Sequence, residues 1–351
     1  MSKLSIIAPT YNERENLKRL VERIFSSLKG LDFELIIVDD NSPDGTGKLA
    51  DKIASKHKNI IVVHRQGKLG LGTAILDGIK AADGEIIGVM DADLQHPPEL
   101  LKTMLEKAEE GADIVIASRY IEGGKVESWS FFRRAMSKGA LWLSHLSLPR
   151  TRKVKDTQSG YFLFKRHAIE NVQIDVKGFK LLVEILAKGK YKEVAEVPYT
   201  FKTRAAGKSK LGSMQILSYV KQLLRLSEYR VLKFIAVGAS GIVVNNGVLW
   251  LLVSLANMLP LLAAIISIET SIITNFLLNN FWTFRERRGE KFPYKLVKYH
   301  GSVVLGAIVN YVTFALLLAA GFHMIVANTI GILLGFILNY LLSEIFVWKR
   351  L

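Results

Sequence analysis

The chain is 351 residues long, half of it hydrophobic, and carries 47 Lys and Arg against 32 Asp and Glu, a formal net charge of +15 at pH 7. That apolar content excludes an intrinsically disordered chain, because disorder requires low hydrophobicity together with high charge. With no cysteine in the sequence, disulfide, zinc–thiolate and thiol-nucleophile chemistry are excluded as well, and the length has room for about two domains.

Met1-Ser2-Lys3-Leu4 runs straight into a strand-like segment. It lacks the apolar core and small-residue cleavage site of a signal peptide, which predicts that the N-terminal part stays in the cytosol. Residues 4–8 read as a short buried strand, after which Asn12 is placed to cap a helix ending at Gly30. Residues 34–38, 60–63, 85–90 and 113–117 are further buried-strand candidates, with helical segments between most of them. This alternation predicts an α/β unit, a mainly parallel sheet with helices on both faces. In such sheets ligands bind beyond the carboxyl ends of the strands.

The residues after those strands form a consistent set. They are Pro9-Thr10-Tyr11-Asn12-Glu13, then Asp39-Asp40-Asn41-Ser42-Pro43-Asp44-Gly45-Thr46, then Asp91-Ala92-Asp93-Leu94-Gln95-His96. Alternate residues of an extended chain point the same way, so Asp91, Asp93 and Gln95 are expected to converge. Two carboxylates and an amide oxygen are hard ligands suited to Mg²⁺ or Mn²⁺. His96 reads as a local hydrogen-bonding group rather than a ligand. The segment Gly67-Lys68-Leu69-Gly70-Leu71-Gly72 fits neither the dinucleotide fingerprint nor a P-loop. The basic residues border apolar stretches or follow the acidic edge, which argues against nucleic acid as the partner.

Residues 131–148 and 211–230 mix apolar and basic side chains, as interfacial helices do. Beyond them come four apolar stretches, at roughly 234–256, 258–284, 301–322 and 324–348, each near the ~20 residues needed to cross a bilayer. The links at Asn257-Met258-Leu259-Pro260 and Ala320-Gly321-Phe322-His323 carry no Lys or Arg. Lys233, the segment from Arg285 through Lys295 to Lys298, and Lys349-Arg350 all fall on the other side. The positive-inside rule makes that side, and both termini, cytoplasmic. Trp250, Trp282 and Trp348 are expected in an aromatic belt. Residues 275–285 resemble residues 339–349, which predicts two related hairpins. Asn245, Asn246, Asn275, Asn279, Asn310 and Asn339 are expected to bond between helices. Glu269 is the one acid deep in a span, and Glu344 is expected to reach water or Lys349.

On these motifs, with Arg119-Tyr120, Gly123-Gly124 through Trp129, Ser137-Lys138-Gly139-Ala140, and Arg204 with the segment 207–212, residues 1–210 resemble family 2 glycosyltransferases of the GT-A fold. They stand close to the polyprenyl-phosphate (dolichol-phosphate) mannose synthases, and residues 233–351 resemble GtrA-like four-span modules. Residues 211–232 would then be an amphipathic linker. The resemblance implies inverting, metal-dependent transfer of mannose from GDP-mannose to dolichyl phosphate at the cytoplasmic face of the cell membrane. It implies Pro9, Tyr11, Glu13, Val38, Asp39 and Asp40 around the nucleoside. Asp91, Ala92, Asp93, Arg119, Arg204 and Lys208 would line the sugar diphosphate, and Arg119, Arg133 and Ser137 the acceptor phosphate. Asp91, Asp93, Arg119, Arg133 and Arg204 would carry the catalysis.

A lipid phosphate is already anionic at pH 7 and needs no general base; Asp156 would serve only for a hydroxyl acceptor. The alternatives are glucosyl transfer from UDP-glucose to undecaprenyl phosphate, and a lipid-linked sugar flippase with a regulatory transferase domain. A homo-oligomer is compatible with each.

Overall fold

The computed structural model describes residues 3–127, 129–175, 180–202, 213–287 and 291–348. It separates into two compact units, Met1–Leu226 and Ser227–Leu351.

The first unit contains β1 (Leu4–Thr10), α1 (Arg14–Ser27), β2 (Phe33–Asp39), α2 (Thr46–Ala54), β3 (Ile60–His64), α3 (Leu71–Ala81), β4 (Ile86–Val89), α4 (Leu100–Glu109), β5 (Ile114–Ser118) and β6 (Lys125–Val126). These are followed by α5 (Phe131–Ser147), β7 (Phe162–Lys165), α6 (Leu181–Lys188), β8 (Val194–Pro198), β9 (Thr200–Phe201) and α7 (Ser213–Leu226). Seven strands form one sheet in the order β3-β2-β1-β4-β7-β5-β8. All run parallel except β7, which lies antiparallel between β4 and β5. The strands β1, β2, β4 and β5 therefore end at one edge, and the chain leading into β7 arrives at the same edge.

The strand sequences are nearly continuous apolar runs because both faces of the sheet are covered. Leu4, Ile6, Leu35 and Ile37 pack against Leu17, Leu20, Met104 and Leu105 on one face. Ile7, Ile36 and Val38 pack against Ala74, Ile75 and Ile185 on the other. Each such aliphatic side chain contributes about 1.5–3 kcal/mol by leaving water. One polar group is built into this core. Glu34 of β2 accepts hydrogen bonds from Ser5 Oγ (2.6 Å), the Asp83 N–H (2.7 Å) and Lys3 Nζ (2.9 Å). Although burial alone would raise its pKa, the Ser5 hydroxyl and Lys3 hold it below the usual value.

Asn12 does not cap α1. It adopts a left-handed backbone (φ 58°), its N–H donates to Ser42 Oγ at 3.0 Å, and Glu13 takes the cap position. The tight turn that joins β1 to the β2 loop outweighs the capping preference.

The second unit consists of α8 (Arg230–Ser254), α9 (Pro260–Leu278), α10 (Phe292–Ala319) and α11 (Met324–Leu342). Among the described residues, four helices are long and apolar enough to cross a membrane. The helices α9 and α11 each end in a π-helical turn, Asn279–Thr283 and Ser343–Val347. These turns occupy matching positions of the two hairpins. Within the first hairpin Gly241 lets α8 and α9 approach closely, since a Cβ there would collide with the Asn275 amide; Ser271 Oγ donates to its carbonyl at 2.8 Å. Within the second, Ser302 Oγ donates to Asn339 Oδ1 at 3.0 Å.

Three expectations are corrected here. The third helix starts at Phe292, taking in residues expected in a basic loop. Pro293 favours a first turn, and Lys295 is buried with its Nζ donating to the Arg287 carbonyl at 2.9 Å. Trp250 and Trp282 are exposed, but Trp348 is fully buried; it stacks on Phe284 at 4.5 Å and its Nε1 donates to Asn280 Oδ1 at 3.1 Å. Glu344 is likewise buried rather than near water, bonded to Arg287 Nη2 at 2.6 Å and facing Arg230 Nε at 3.4 Å. Arginines distant in sequence outweigh the solvent that its terminal position suggested. Glu269 meets His300 Nε2 at 2.9 Å.

Candidate functional site

At the β1–β2 end, Thr10 and Asp39 are register partners. Asp39 accepts bonds from the Ser42 N–H (3.0 Å) and Ser42 Oγ (2.5 Å), and from Thr10 Oγ1 (3.2 Å). The Asp40 carboxylate pairs with Arg65 and accepts the Leu69 and Gly70 N–H groups at 3.2 and 3.0 Å. Both carboxylates are buried and engaged within the chain. They shape the wall of the crevice, drawing the Gly67–Gly72 segment over it. Lys68 Nζ lies 4.1 Å from the Tyr11 ring centroid, so Tyr11 and Lys68 close the same mouth. Glu13 Oε2 accepts from Asn16 Nδ2 at 2.8 Å. Val38 is fully buried in β2, and its carbonyl accepts Thr10 Oγ1 at 3.4 Å. Pro9 lies in β1 beside Val38.

The strand β4 ends at Val89, and the following chain bends rather than extends: Leu94 sits at φ 62°. A left-handed leucine costs about 1–2 kcal/mol, and here it turns Gln95 out of line with Asp91 and Asp93. Asp91, Asp93 and Gln95 therefore do not project from one extended strand as alternation predicts. Asp93 is buried and accepts the Gln95 N–H at 3.1 Å, while Gln95 Nε2 donates to the Lys202 carbonyl at 2.6 Å. Asp91 is 40% exposed, and Ala92 is buried behind it. His96 Nδ1 accepts the Asp91 N–H at 2.9 Å, and burial pushes the imidazole pKa down to about 4. His96 is thus a neutral strut for this turn. Gly160 closes the far side: a Cβ there would lie 3.4 Å from Asp91 Oδ2 and 3.3 Å from His96 Cε1. Two carboxylates and an amide beside a glycine-lined gap are a hard-oxygen donor set of the kind that holds Mg²⁺ or Mn²⁺.

Arg119 follows β5 directly. Its Nε and Nη2 donate to both oxygens of Asp156 at 2.7 and 2.8 Å, and its backbone N–H donates to Oδ2 at 3.0 Å. Against the burial that would lower it, the Asp156 carboxylate raises the Arg119 pKa, keeping it charged. The guanidinium lies 5.4 Å from the Trp129 ring, and Arg133 stacks on the same ring at 4.5 Å. One indole thus orients two arginines. Tyr120 Oη donates to Ser137 Oγ at 2.8 Å, which leaves the Ser137 proton to donate elsewhere. Lys180 Nζ donates to the Gln158 carbonyl at 2.8 Å, and its charge interacts with Arg119, Asp91 and Asp156.

The structure thus brings Asp91, Asp93, Arg119 and Asp156 to one sheet edge, with Arg133 linked through Trp129 and Ser137 through Tyr120. Arg204 and Lys208 lie outside the described residues. Sequence reasoning missed Arg65, Gly160 and Lys180. Only Gly160, next to Asp156-Thr157-Gln158-Ser159, carried a local signal.

Residues 5–173 match glycosyl transferase family 2, and residues 233–348 match the GtrA/DPMS transmembrane domain. Over 353 residues the chain is 44% identical to a dolichol-phosphate mannosyltransferase of Pyrococcus furiosus, covering 99% of each chain. It is 35% identical over 238 residues to the dolichol-phosphate mannosyltransferase of Saccharomyces cerevisiae, covering 64% of this chain and 87% of the yeast protein. It is 37% identical over 220 residues to the polyprenol monophosphomannose synthase of Mycolicibacterium smegmatis, covering 60% and 82%. The yeast and mycobacterial alignments span only part of this chain, whereas the archaeal one runs from end to end. With that match and the parallel-sheet edge carrying its acidic motif, the chain belongs to the dolichol-phosphate mannosyltransferases, multi-pass membrane glycosyltransferases with a GT-A catalytic domain and four C-terminal membrane helices.

Proposed function

We propose that this protein transfers mannose from GDP-mannose to dolichyl (polyprenyl) phosphate at the cytoplasmic face of the cell membrane. The transfer inverts the anomeric carbon and yields dolichyl β-D-mannosyl phosphate and GDP. The end-to-end similarity to an archaeal dolichol-phosphate mannosyltransferase carries this reading.

The nucleoside would lie against Pro9, Tyr11, Glu13 and Val38, with the loops braced by Asp39 and Asp40 forming its wall. Asp91, Asp93 and Gln95 would hold Mg²⁺ or Mn²⁺. Among the described residues no three His, Asp or Glu side chains gather as a metal cluster. The remaining oxygen ligands would come from the diphosphate and from water, as is usual for Mg²⁺. Such an ion neutralises charge on the departing diphosphate.

Arg119, Arg133 and Ser137 would orient the acceptor phosphate, with Arg204 and Lys208 as further phosphate ligands, guanidinium forks being suited to such oxygens. An acceptor phosphate oxygen attacks the anomeric carbon as the bond to GDP breaks, and no proton need be removed. The geometry supports this, because both oxygens of Asp156 are occupied by Arg119. The basic residues from Arg285 to Lys298 support the cytoplasmic orientation. The test is divalent-dependent transfer of labelled mannose to lipid in detergent. Asp91→Ala should abolish it, and undiminished transfer by that variant would overturn the assignment of the acidic motif.

A further inference from the structure

The helix α7 is bonded to the 156–160 turn, whose Asp156 holds Arg119, and the link passes through a half-buried lysine. Gln222 grips Lys180 on both sides of its backbone: its Oε1 accepts the Lys180 N–H at 3.2 Å and its Nε2 donates to the Lys180 carbonyl at 2.9 Å. Three residues earlier, on the same helical face, the Tyr219 hydroxyl takes the Gln158 side-chain amide and donates to the Ala140 carbonyl at 3.2 Å. Lys180 Nζ closes the loop by donating to the Gln158 carbonyl at 2.8 Å. The Gln158 N–H in turn reaches Asp156 Oδ1 at 3.3 Å, on the carboxylate that holds Arg119.

We propose that Lys180 is a positioning residue for the transfer reaction, fixing the 156–160 turn against α7 and so aiming the Arg119 guanidinium at the phosphates. Simple packing of α7 does not call for it. Tyr219 and Leu223 already bury themselves against Leu148 and Val183, and an apolar side chain at position 180 would avoid the cost of enclosing an ammonium. That cost is visible in the pKa of Lys180, which burial and the neighbouring Arg119 push down to about 8. An ammonium kept under this pressure, on the carbonyl that follows the Arg119–Asp156 pair, points to orientation rather than bulk.

The proposal rests on the function given above, and its test separates the two. Full-length protein is assayed in detergent with GDP-mannose, dolichyl phosphate and Mg²⁺, comparing wild type with Lys180→Met, Lys180→Arg and Gln222→Met. A misaimed phosphate ligand should lower kcat by roughly 10–100-fold in Lys180→Met, with the KM for GDP-mannose within about threefold of wild type. Lys180→Arg, which can still donate to Gln158, should recover most of the rate. Gln222→Met should fall in the same direction and carries the test if Lys180→Met does not fold. A kcat within about twofold of wild type in the Met variants, or an Arg variant no better than Met, overturns the proposal. A wild type that transfers no mannose refutes the proposed function and this proposal together. A wild type that does, beside an unimpaired Lys180→Met, refutes this proposal alone.

Discussion

Replacing Asp156 with Asn tests whether the Arg119–Asp156 pair organises the site. Asp156 is fully buried and Arg119 only 8% exposed. The carboxylate accepts four N–H groups: the backbone, Nε and Nη2 of Arg119 at 3.0, 2.7 and 2.8 Å, and the Gln158 N–H at 3.3 Å. An Asn side chain keeps one acceptor oxygen and turns an NH₂ toward groups that can only donate. Each buried donor left unsatisfied costs about 1–3 kcal/mol, and stranding one partner of a buried ion pair costs about 3–5 kcal/mol in all. For a unit of this size 1 kcal/mol corresponds to roughly 2–4 °C, so the first unit should melt about 6–20 °C lower. Trp129, whose ring lies 5.4 Å from Arg119, gives a local fluorescence signal for the melt. Adding Arg119→Met to Asp156→Asn should restore part of the loss, because the stranded charge is then gone. A fall of less than about 2 °C, or two effects that simply add, would refute the assignment of this pair as an organising contact.

Gly160→Ala places a methyl 3.4 Å from Asp91 Oδ2 and 3.3 Å from His96 Cε1. It should lower kcat/KM for transfer by about tenfold or more while leaving the melting temperature nearly unchanged; equal loss of both would contradict a site-specific role. In the membrane unit, Glu344→Ala removes the carboxylate from Arg287 and should cost about 3–5 kcal/mol. The variant should lose its monodisperse peak on size-exclusion chromatography after milder heating than wild type. Because the Glu34 pKa is held below its ordinary 4.5, Glu34 stabilises the fold above that pH, and the contribution is lost as pH falls through the folded-state value. Melts at pH 7 and pH 4 should differ less for Glu34→Gln than for wild type; identical differences would show that Glu34 makes no such contribution.

What the sequence revealed follows from the range of each interaction. The strands of the first unit were legible because burial on both faces imposes unbroken apolar runs, and the membrane helices because a bilayer demands length and hydropathy. The acidic motif was legible as a set of residues but not as a shape. Alternation predicted an extended chain, whereas Leu94 turns it through a left-handed conformation that no periodicity encodes. Asn12 failed as a cap for the same reason, its backbone being set by Ser42 across the crevice. Arg119 and Asp156 each stood out, yet their pairing joins positions 37 apart in sequence, and only the antiparallel insertion of β7 beside β5 brings them together. Lys180 and Arg65 had no local signal at all. In the second unit the hairpin repeat was readable from related ends. The burial of Glu344 and Trp348 depends instead on Arg287, Arg230 and Asn280, which reach them from distant parts of the unit.

The central claim is tested most directly by transfer of labelled sugar from GDP-mannose and, separately, from UDP-glucose to dolichyl phosphate in detergent, with Mg²⁺, Mn²⁺ or EDTA. Label should enter lipid from GDP-mannose alone, only with a divalent ion, and not in Asp91→Ala. Label from UDP-glucose alone would move the protein to glucosyl transfer on the same fold. Donor binding without transfer from either would contradict the lipid-phosphate acceptor and return the sugar domain to a regulatory role beside the four membrane helices.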